Sequence, residues 1–355
     1  MVDRDPTEGR AAVGRPGAPT KRLTISDIAR LAGCSTATVS KAVNHQPGIS
    51  EEARARVLRI AELAGWRPSA RAVALAGRSR TVGLVLDRSP DLLATDPYHA
   101  ELVSGIESVL ARHGYWLLLR IGTHESAAQE AATYRELAQS GRVDGVLVAE
   151  TSVDDYRFAL LRELGLPAVV VSRPWSPVDL PWEGPEHPGA GMDEAVRHLV
   201  ARGRERIAYV CGPPNRSYVV YRTRTLLEAV AGCGASMVGV RQTDASAEQG
   251  HAATVALLEQ PQRPGAILYD NDQMALAGCR AIVAAGLRVP DDVAVVGHDD
   301  LSVSRWFTPA LTTVSQDVFG LGARCATRLL QLLGEPLPDP EPFADPVLVV
   351  RESAG

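Results

Sequence analysis

The chain has 355 residues, a formal net charge of −5 and five cysteines. No apolar run approaches the length of a membrane span, which excludes a protein built on membrane-spanning helices. The cysteines are odd in number, scattered and without metal-ligand spacing, so the sequence favours reduced core thiols over a disulfide framework or a metal site.

Positive charge is concentrated at the N-terminal end of the chain. Residues 1–80 carry 14 Lys and Arg against 7 Asp and Glu, whereas the other 275 residues carry 23 against 35. The two balances are therefore +7 and −12, and both lysines of the protein, Lys21 and Lys41, lie in the basic segment. A basic head on an acidic body is typical of a small nucleic-acid module attached to a domain that does not touch phosphate.

Residues 24–44 have the pattern of two short helices joined by a tight turn. Thr24 and Asp27 form a capping pair at the start of the first helix, Gly33 supplies the turn, and Ser35 caps the second helix. The apolar positions fall at helical spacing: Ile25, Ile28, Ala29, Ala32, Val39 and Val43. This pattern is typical of a helix-turn-helix that lays a recognition helix in the DNA major groove. The alternative is an ordinary αα-hairpin buried in a core.

A third helix and a short fourth one are predicted after this pair. Ser50 caps the third helix, which ends at Gly65, and its apolar face consists of Ala53, Val57, Ile60, Ala61 and Ala64. Pro68 breaks that helix, Ser69 can cap the fourth, and Gly77 ends it after two turns. Because so short a helix is unstable alone in water, we expect it to fold against DNA or a partner helix. The alternative is a simple linker.

From Thr81 onward, short apolar runs alternate with amphipathic helical stretches. The predicted strands are Val82–Leu86, Tyr115–Ile121, Gly145–Ala149, Ala168–Val171, Ile207–Cys211, Ala266–Tyr269, Val293–Val296 and Val347–Val350. This alternation predicts a parallel sheet covered by helices on both faces. The length of about 270 residues exceeds one core, so we expect two lobes, with the Pro/Gly-rich stretch 174–191 crossing between them. Ligands of such folds bind at the carboxyl ends of the strands.

Several segments, in the same order along the chain, resemble the LacI/GalR family of bacterial transcription regulators. Residues 24–77 resemble its DNA-binding headpiece and hinge, and residues 81–86 resemble the first strand of its effector domain. The most distinctive signatures are matched by residues 271–278, 286–300 and 309–317. The resemblance covers roughly residues 22–351.

The resemblance implies a small all-α helix-turn-helix headpiece followed by an α/β effector domain with two lobes and parallel sheets, of the periplasmic-binding-protein type. The expected divisions are a disordered tail (1–21), the helix-turn-helix domain (22–67), a hinge helix and linker (68–80), and a two-lobed effector-binding and dimerisation domain (81–355).

The resemblance also implies which residues meet DNA. In the headpiece they are Thr24, Ser35, Thr36, Ala37, Thr38, Ser40, Lys41 and Asn44. Thr36 and Ala37 occupy the positions that set base preference: a threonine hydroxyl can bond a base edge, whereas alanine offers only apolar contact to a thymine methyl. Leu75 matches the leucine that the family wedges into the minor groove, and Ala72 lies one turn earlier on the same face.

For the effector, the resemblance points to Arg222, Asn271 and Asp299. Two of these residues directly follow predicted strands, and the three side chains together suit a polyhydroxylated ligand, because each can bond a pair of vicinal hydroxyls. Tyr98 and Glu101, which follow the first strand, are further candidates. Three tryptophans could stack under a sugar ring: Trp175, Trp182 and Trp306.

The sequence thus predicts a homodimeric repressor that binds near-palindromic operator DNA and is released from it by a small-molecule effector, namely a sugar. The alternatives are an activator of the same fold, or a regulator whose ligand promotes DNA binding. A sugar-binding transport protein is a remote alternative, because the headpiece is basic and no secretory signal precedes it. The proline-rich stretch 336–342 is followed by a strand rather than a leucine heptad, which favours a dimer over a tetramer.

The same sequence does not predict an enzyme. It contains no Walker loop, no G-x-S-x-G, no H-E-x-x-H and no C-x-x-C motif. The cluster Gly297-His298-Asp299-Asp300 follows a predicted strand and is better interpreted as a loop of a binding cleft. We therefore expect no metal and no cofactor, and a cytoplasmic protein.

Overall fold

The computed structural model of the protein describes residues 23–43, 47–64, 66, 79–89, 96–124 and 126–355. The chain divides into two compact units, residues 1–77 and 78–355. None of the helices in these described ranges is both long enough and apolar enough to cross a membrane.

Three helices build the described part of the first unit: α1 (Ile25–Ala32), α2 (Thr36–Val43) and α3 (Glu51–Leu63). The predicted capping pair is present, since Thr24 N–H donates to Asp27 Oδ2 at 2.9 Å and Asp27 N–H donates to Thr24 Oγ1 at 3.4 Å. Gly33 ends α1 with a left-handed φ of 61°, which its lack of a side chain permits. The buried core is Ile28, Ala29, Ala32, Val39, Ala42, Val57 and Ala61. The helix-turn-helix prediction is confirmed.

The second unit has two lobes, each with its own sheet. In chain order its elements are β1 (Thr81–Asp87), α4 (Pro97–Leu110), β2 (Trp116–Gly122), α5 (Ala127–Ser140), β3 (Gly145–Val148), α6 (Arg157–Glu163), β4 (Ala168–Val171), β5 (Trp182–Glu183), α7 (Ala190–Ala201), β6 (Arg206–Cys211), α8 (Ser217–Gly232), β7 (Ser236–Gln242), α9 (Ala247–Leu258), β8 (Ala266–Tyr269), α10 (Asp272–Ala284), β9 (Ala294–His298), β10 (Thr312–Ser315), α11 (Val318–Leu332) and β11 (Val347–Val349).

The sheets are parallel except for one pair of strands. The N-terminal lobe has the strand order β2-β1-β3-β4-β5, and the C-terminal lobe has the order β11-β10-β9-β8-β6-β7. Only β11 runs antiparallel among these strands, and it pairs with β10 at the edge of its sheet. Each sheet carries two buried apolar clusters, one on each face, which is how helices cover both sides of a parallel sheet. The predicted two-lobed α/β fold is confirmed.

The chain crosses between the lobes three times, whereas the sequence predicted a single crossing at 174–191. The first crossing falls in the second half of that stretch, because Trp182 and Glu183 still form β5 of the N-terminal lobe. The chain returns after β10 so that α11 can pack on α4, and it leaves again to form β11. Glycines allow the two helices to touch: a Cβ on Gly105 would lie 2.0 Å from the backbone oxygen of Phe319.

Three strands were not predicted from the sequence: β5, β7 and β10. The first has only two residues, and β7 is an exposed edge strand whose pattern includes Ser236 and Gly239. The third, β10, begins with the buried polar pair Thr312 and Thr313, which a search for apolar runs does not detect. The strands predicted at the centres of the two sheets are all present.

Candidate DNA-binding surface and effector cleft

Helix α2 presents the residues expected to read DNA at its N-terminal end. Thr36 and Ala37 are exposed, while Val39 and Ala42 on the opposite face are fully buried in the headpiece core. Ser35 is exposed as well, and its hydroxyl accepts the backbone N–H of Thr38 at 3.1 Å, so this residue caps the helix. The burial pattern orients the start of α2 towards solvent, as a recognition helix requires.

The far end of α2 is held by an arginine that sequence reasoning did not single out. Arg54 on α3 donates to the backbone oxygens of Lys41 and Ala42, each at 3.3 Å. A guanidinium at a helix C-terminus satisfies open carbonyls and complements the helix dipole. The side chain of Arg54 is mostly buried, and these bonds tie the end of α2 to α3.

The remaining headpiece predictions fall into two groups. Thr38, Ser40 and Lys41 are half-buried on α2, and the Thr24 hydroxyl is already engaged in the cap of α1, donating to Asp27 at 2.7 Å. The other three residues lie outside the described part of the chain: Asn44, Ala72 and Leu75.

In the second unit, a cavity with about 820 Å³ of empty space lies between the two lobes. It is lined from the N-terminal lobe by Arg88, Asp96, Tyr98, His99, Glu150 and Thr151, and from the C-terminal lobe by Ser217, Tyr218, Arg222, Asp270, Asn271 and Asp299. Most of these residues follow the carboxyl ends of parallel strands or begin the helices after them, which is where ligands bind in such folds.

The backbone around this cavity adopts an unusual conformation. Four of its lining residues other than glycine have a left-handed φ: Glu150 (52°), Ser172 (71°), Ala245 (72°) and Asp299 (101°). Each such residue costs on the order of 1 kcal/mol, and residues of this kind cluster at functional sites. The concentration of strain here supports a binding role for the cavity.

Arg222 is held in place by the carboxylate of Asp270. Its Nη1 donates to both the backbone oxygen and Oδ1 of Asp270, at 2.9 Å in each case, and its guanidinium lies 5.0 Å from the ring centre of Tyr218. Asp270 also accepts the hydroxyl of Tyr209 at 2.7 Å and the backbone N–H of Gly212 at 3.0 Å. The Nε of Arg222 is buried and has no hydrogen-bond partner in the described part of the chain. The cavity therefore offers a donor that a ligand can satisfy.

Asp299 follows β9 and is held by two neighbours. Its Oδ1 accepts a hydrogen bond from Gln316 Nε2 at 2.8 Å and lies 3.0 Å from His298 Nδ1. Burial raises the pKa of Asp299, but the hydrogen bond from His298, the positive charge of Arg222 and the hydrogen bond from Gln316 together lower it below its usual value. Burial and the charge of Arg222 lower the pKa of His298. The site thus holds an ionised carboxylate beside a neutral imidazole.

Asn271 lines the cavity but is already used by the fold. Its Oδ1 accepts the backbone N–H of Met274 at 2.8 Å, which caps α10, and its Nδ2 donates to the backbone oxygen of Ala245 at 3.0 Å. Both ends of the amide are therefore engaged. The structure gives Asn271 a positioning role for the loop at 245 in addition to the ligand contact that the sequence predicted.

The N-terminal lobe contributes a linked group of charges. Glu150 Oε1 accepts from Arg88 Nε at 2.5 Å and lies 3.3 Å from His99 Nε2, while His99 Nδ1 lies 3.1 Å from Asp96. Burial lowers the pKa of His99, but its hydrogen bonds to Asp96 and Glu150 raise it to about 9. Burial raises the pKa of Glu150, but the hydrogen bond from His99 and the charge of Arg88 lower it to about 2. Arg88, His99 and Glu150 are therefore charged at neutral pH.

Sequence reasoning identified Tyr98 in this lobe but missed Arg88, His99 and Glu150, and in the other lobe it missed Asp270. A signal was available for three of them, because Arg88, Glu150 and Asp270 lie within two residues of the ends of β1, β3 and β8. These positions carry charged residues where a buried strand has just ended. A charged residue directly after a buried strand indicates the edge of a parallel sheet at which ligands bind.

Glu101 does not lie among the residues that line the cavity. It is exposed on α4, and its carboxylate accepts the backbone N–H of Phe319 near the start of α11. A carboxylate at that position interacts favourably with the positive N-terminal end of the helix dipole. The structure thus corrects the prediction for Glu101, whose contact is with the fold.

The three tryptophans also lie outside the cavity lining. Trp175 is covered by the guanidinium of Arg224, 5.2 Å from its ring centre, and Trp182 forms part of β5 beside Arg173. Trp306 is 81% exposed. None of the three is placed to stack on a ligand in this cavity.

The charges that line the cavity balance. Among the described residues, the cations are Arg88, His99, Arg173 and Arg222, and the carboxylates are Asp96, Glu150, Asp270 and Asp299. Because each carboxylate has a cationic or hydrogen-bonding neighbour, the cavity presents many donors and acceptors but no net charge. Such a lining favours a neutral polar ligand over an anion or a cation.

Comparison with known proteins finds two family matches in this chain. Residues 24–69 match the family described as bacterial regulatory proteins, lacI family, and residues 196–354 match the periplasmic binding protein-like domain. The HTH-type transcriptional regulator AglR of Rhizobium meliloti (strain 1021) is 32% identical over 315 residues, which cover 87% of each chain.

Two solved structures are also similar over nearly the whole chain. The complex of the transcriptional regulator CelR with cellobiose has a TM-score of 0.68 and 31% identity, and covers 94% of this chain and 100% of the other. The lac repressor dimer bound to operator and the anti-inducer ONPF has a TM-score of 0.78 and 28% identity, with 94% and 99% covered. The chain is thus a member of the lacI family of bacterial regulatory proteins, a transcriptional regulator that combines a helix-turn-helix domain with an effector domain.

Proposed function

We propose that this regulator is a homodimeric repressor that binds a near-palindromic operator and leaves it when a neutral, polyhydroxylated effector, a sugar, occupies the cleft between the lobes. The observation that carries the proposal is the charge-balanced cavity around Arg222 and Asp299. Hydroxyl groups both donate and accept, so a sugar can satisfy the unpartnered Arg222 Nε as well as ionised Asp299. The cellobiose complex of the similar regulator CelR supports this class of ligand.

The headpiece is the DNA-binding part of the proposal. The exposed Thr36 and Ala37 are assigned to base contacts, with Ser35, Thr38, Ser40, Lys41 and Asn44 alongside them. We divide the chain into a headpiece at 22–67, a hinge at 68–80 and an effector domain from 81 onward. In the hinge, Leu75 is the residue assigned to the minor groove, with Ala72 beside it.

A dimer is supported by the edge of the N-terminal sheet. Strand β2 is the outermost strand of that sheet, and its side chain at Trp116 is 74% exposed, with Leu118 and Leu119 exposed beside it. An open edge strand with a row of apolar side chains is an aggregation hazard unless another chain covers it. A second copy of this chain covers it in our proposal, and the similar lac repressor structure is a dimer.

The proposal is tested with purified full-length protein and DNA selected from a random-sequence pool. Neutral sugars, nucleosides and sugar phosphates are first screened for an increase in melting temperature, and the stabilising compounds are then added to the protein–DNA complex in a fluorescence anisotropy titration. We expect a neutral sugar to stabilise the protein and to release the DNA. Tighter DNA binding in the presence of that sugar would instead identify a co-repressor mechanism.

A truncated chain that starts at Thr81 is the matched control. It should keep the thermal response to the sugar and lose all specific DNA binding, because the basic segment that supplies the phosphate contacts is gone. Binding by the full-length protein should also weaken steeply with salt concentration. Specific DNA binding by the truncated chain would overturn the assignment of the headpiece.

A further inference from the structure

Glu150 takes part both in the lining of the cavity and in the contact between the lobes. Its side chain lines the cavity from the N-terminal lobe, while its backbone oxygen accepts Arg216 Nη1 of the C-terminal lobe at 2.5 Å. The residues that follow it are also bound across the cleft, since Ser217 N–H donates to the oxygen of Thr151 at 2.8 Å and Val153 N–H donates to that of Asn215 at 2.9 Å. Glu150 therefore lies where the wall of the cavity meets the contact between the lobes.

The carboxylate of Glu150 is only half satisfied. Its Oε1 is shared by Arg88 and His99, whereas its Oε2 is buried and has no hydrogen-bond partner in the described part of the chain. The side chain is 9% exposed. A buried ionised oxygen without a donor is costly, and the cost is removed when a ligand supplies the donor. Arg88, His99 and Arg216 already place positive charge beside Glu150, so that donor does not have to be cationic.

We propose that Glu150 is a specificity-determining residue of the effector site, and that its Oε2 accepts a hydrogen bond from a neutral O–H group of the effector. This inference rests on the function proposed above and extends it. Arg222 in the C-terminal lobe offers an unpartnered donor, and Glu150 in the N-terminal lobe offers an unpartnered acceptor. A hydroxylated ligand that satisfies both atoms links the two lobes across the cavity.

The substitution Glu150→Gln tests this acceptor specifically. Because Arg88 Nε donates to Oε1, the amide oxygen of glutamine keeps that position, and the amide nitrogen takes the position of Oε2. The variant therefore presents a donor where the wild type presents an ionised acceptor, with almost no change in shape. Asp154→Asn is the matched control, because Asp154 is an exposed carboxylate on the same loop and does not line the cavity.

The experiment uses full-length wild type, Glu150→Gln and Asp154→Asn, with cellobiose, maltose and adenosine as probes. Thermal shift identifies the probes that bind, and isothermal titration gives their dissociation constants. We expect at least a tenfold weaker affinity in Glu150→Gln and an unchanged affinity in Asp154→Asn. Equal affinities in all three proteins would overturn the role of Glu150 and leave the effector site in place.

A second measurement does not depend on the folding of the variant. Single-deoxy derivatives of the bound probe are titrated into wild-type protein, and one derivative should lose at least tenfold in affinity because it lacks the hydroxyl that donates to Oε2. That derivative should bind Glu150→Gln no more weakly than the parent probe does. Equal loss in both proteins overturns the inference. Failure of every probe to stabilise wild type would overturn the neutral hydroxylated effector itself.

Discussion

A single nitrogen of Arg222, Nη1, donates to both the backbone oxygen and the carboxylate of Asp270, at 2.9 Å in each case. The arginine comes from α8 and the aspartate directly follows β8, so the pair ties a helix to the edge of the C-terminal sheet. This relationship gives Arg222 a structural role as well as a proposed ligand contact. The effect of replacing Arg222 therefore has to be measured on the stability of the protein and on its affinity for the ligand.

Arg222→Ala should lower the free energy of unfolding by about 3 kcal/mol, because removing one partner of a buried ion pair leaves the other uncompensated. The hydroxyl of Tyr209 and the backbone of Gly212 still bond Asp270, which limits the loss. Urea denaturation of the chain from residue 81 onward measures this decrease in the free energy of unfolding. A change below about 0.5 kcal/mol would show that Asp270 does not depend on the arginine.

Arg222→Lys separates the two roles of this residue. Lysine keeps a positive charge near Asp270 but loses the planar group and the Nε donor. We expect most of the stability to be retained and the affinity for the effector to fall more than tenfold in isothermal titration, on the scale of a lost hydrogen bond to a charged group. Wild-type affinity in this variant would mean that the ligand does not use Arg222.

Asn271→Ala should destabilise the protein by about 1 kcal/mol, the usual cost of losing an N-cap. The variant leaves the backbone N–H of Met274 without its side-chain acceptor and the oxygen of Ala245 without its donor. Asn271→Ser keeps a capping oxygen and should recover most of the loss. Thermal denaturation of both variants decides this, and equal destabilisation would show that the contact with Ala245, and not the cap, is what matters.

The stability of the effector domain should fall as the pH rises from 7.5 to 9. His99 has a pKa of about 9 in the folded protein and about 6.5 as a model value, so the folded state holds its proton more tightly. Its contribution is fully present below the unfolded pKa and is lost as the pH rises through the folded pKa. The expected loss is about 2 kcal/mol over this interval, at 1.36 kcal/mol per pH unit.

The control for this pH dependence is His99→Gln, which should make the stability fall less steeply between pH 7.5 and 9 in urea denaturation. A smaller decline remains, because burial raises the pKa of Cys211 and of Cys279 to about 12 and these thiols ionise first in the unfolded chain. Burial raises the pKa of Asp272 to about 7, although hydrogen bonds from Ser304 and Thr313 oppose the shift. The contribution of Asp272 to stability also falls with rising pH. This fall is complete near pH 7, which is below the chosen interval. The same slope in His99→Gln as in wild type would assign the effect to another group.

Leu118→Arg should convert the proposed dimer to a monomer. The residue is 37% exposed on the edge strand β2, so an arginine can be accommodated in the isolated chain but places a charge in the interface. Sedimentation velocity measures the association state, and specific DNA affinity should fall with it because two headpieces are no longer held together. Leu227→Arg, an exposed leucine on α8, is the control and should remain dimeric.

The helix-turn-helix could be predicted completely because every signal for it is local. The Thr24–Asp27 cap, the left-handed glycine at 33 and the apolar positions of α1 and α2 act within a few residues of one another. The strands at the centres of the two sheets were predictable for a related reason: they are buried on both faces and therefore appear as uninterrupted apolar runs. The edge strand β7 and the threonine-rich β10 lack that pattern.

Two neighbouring residues of α4 show where sequence reasoning stops. Glu101 and His99 lie two residues apart on α4, yet the turn of the helix places His99 in the cavity and directs Glu101 towards Phe319 on α11. That outcome depends on α11, which returns to the N-terminal lobe from the far end of the chain. No pattern near residue 100 contains this information.

By itself, the sequence determined the family, the helix-turn-helix, the alternation of strands and helices, and the choice of Arg222, Asn271, Asp299 and Tyr98 as candidate effector residues. Only the tertiary structure decided that Arg88, His99 and Glu150 face the same cavity, that Asn271 is engaged as a cap, and that the chain crosses between the lobes three times. The physical reason is the distance along the chain over which each kind of interaction acts. Caps, turns and apolar periodicity are interactions between near neighbours, whereas the cavity depends on sheet order and helix packing, which bring together residues more than 200 positions apart.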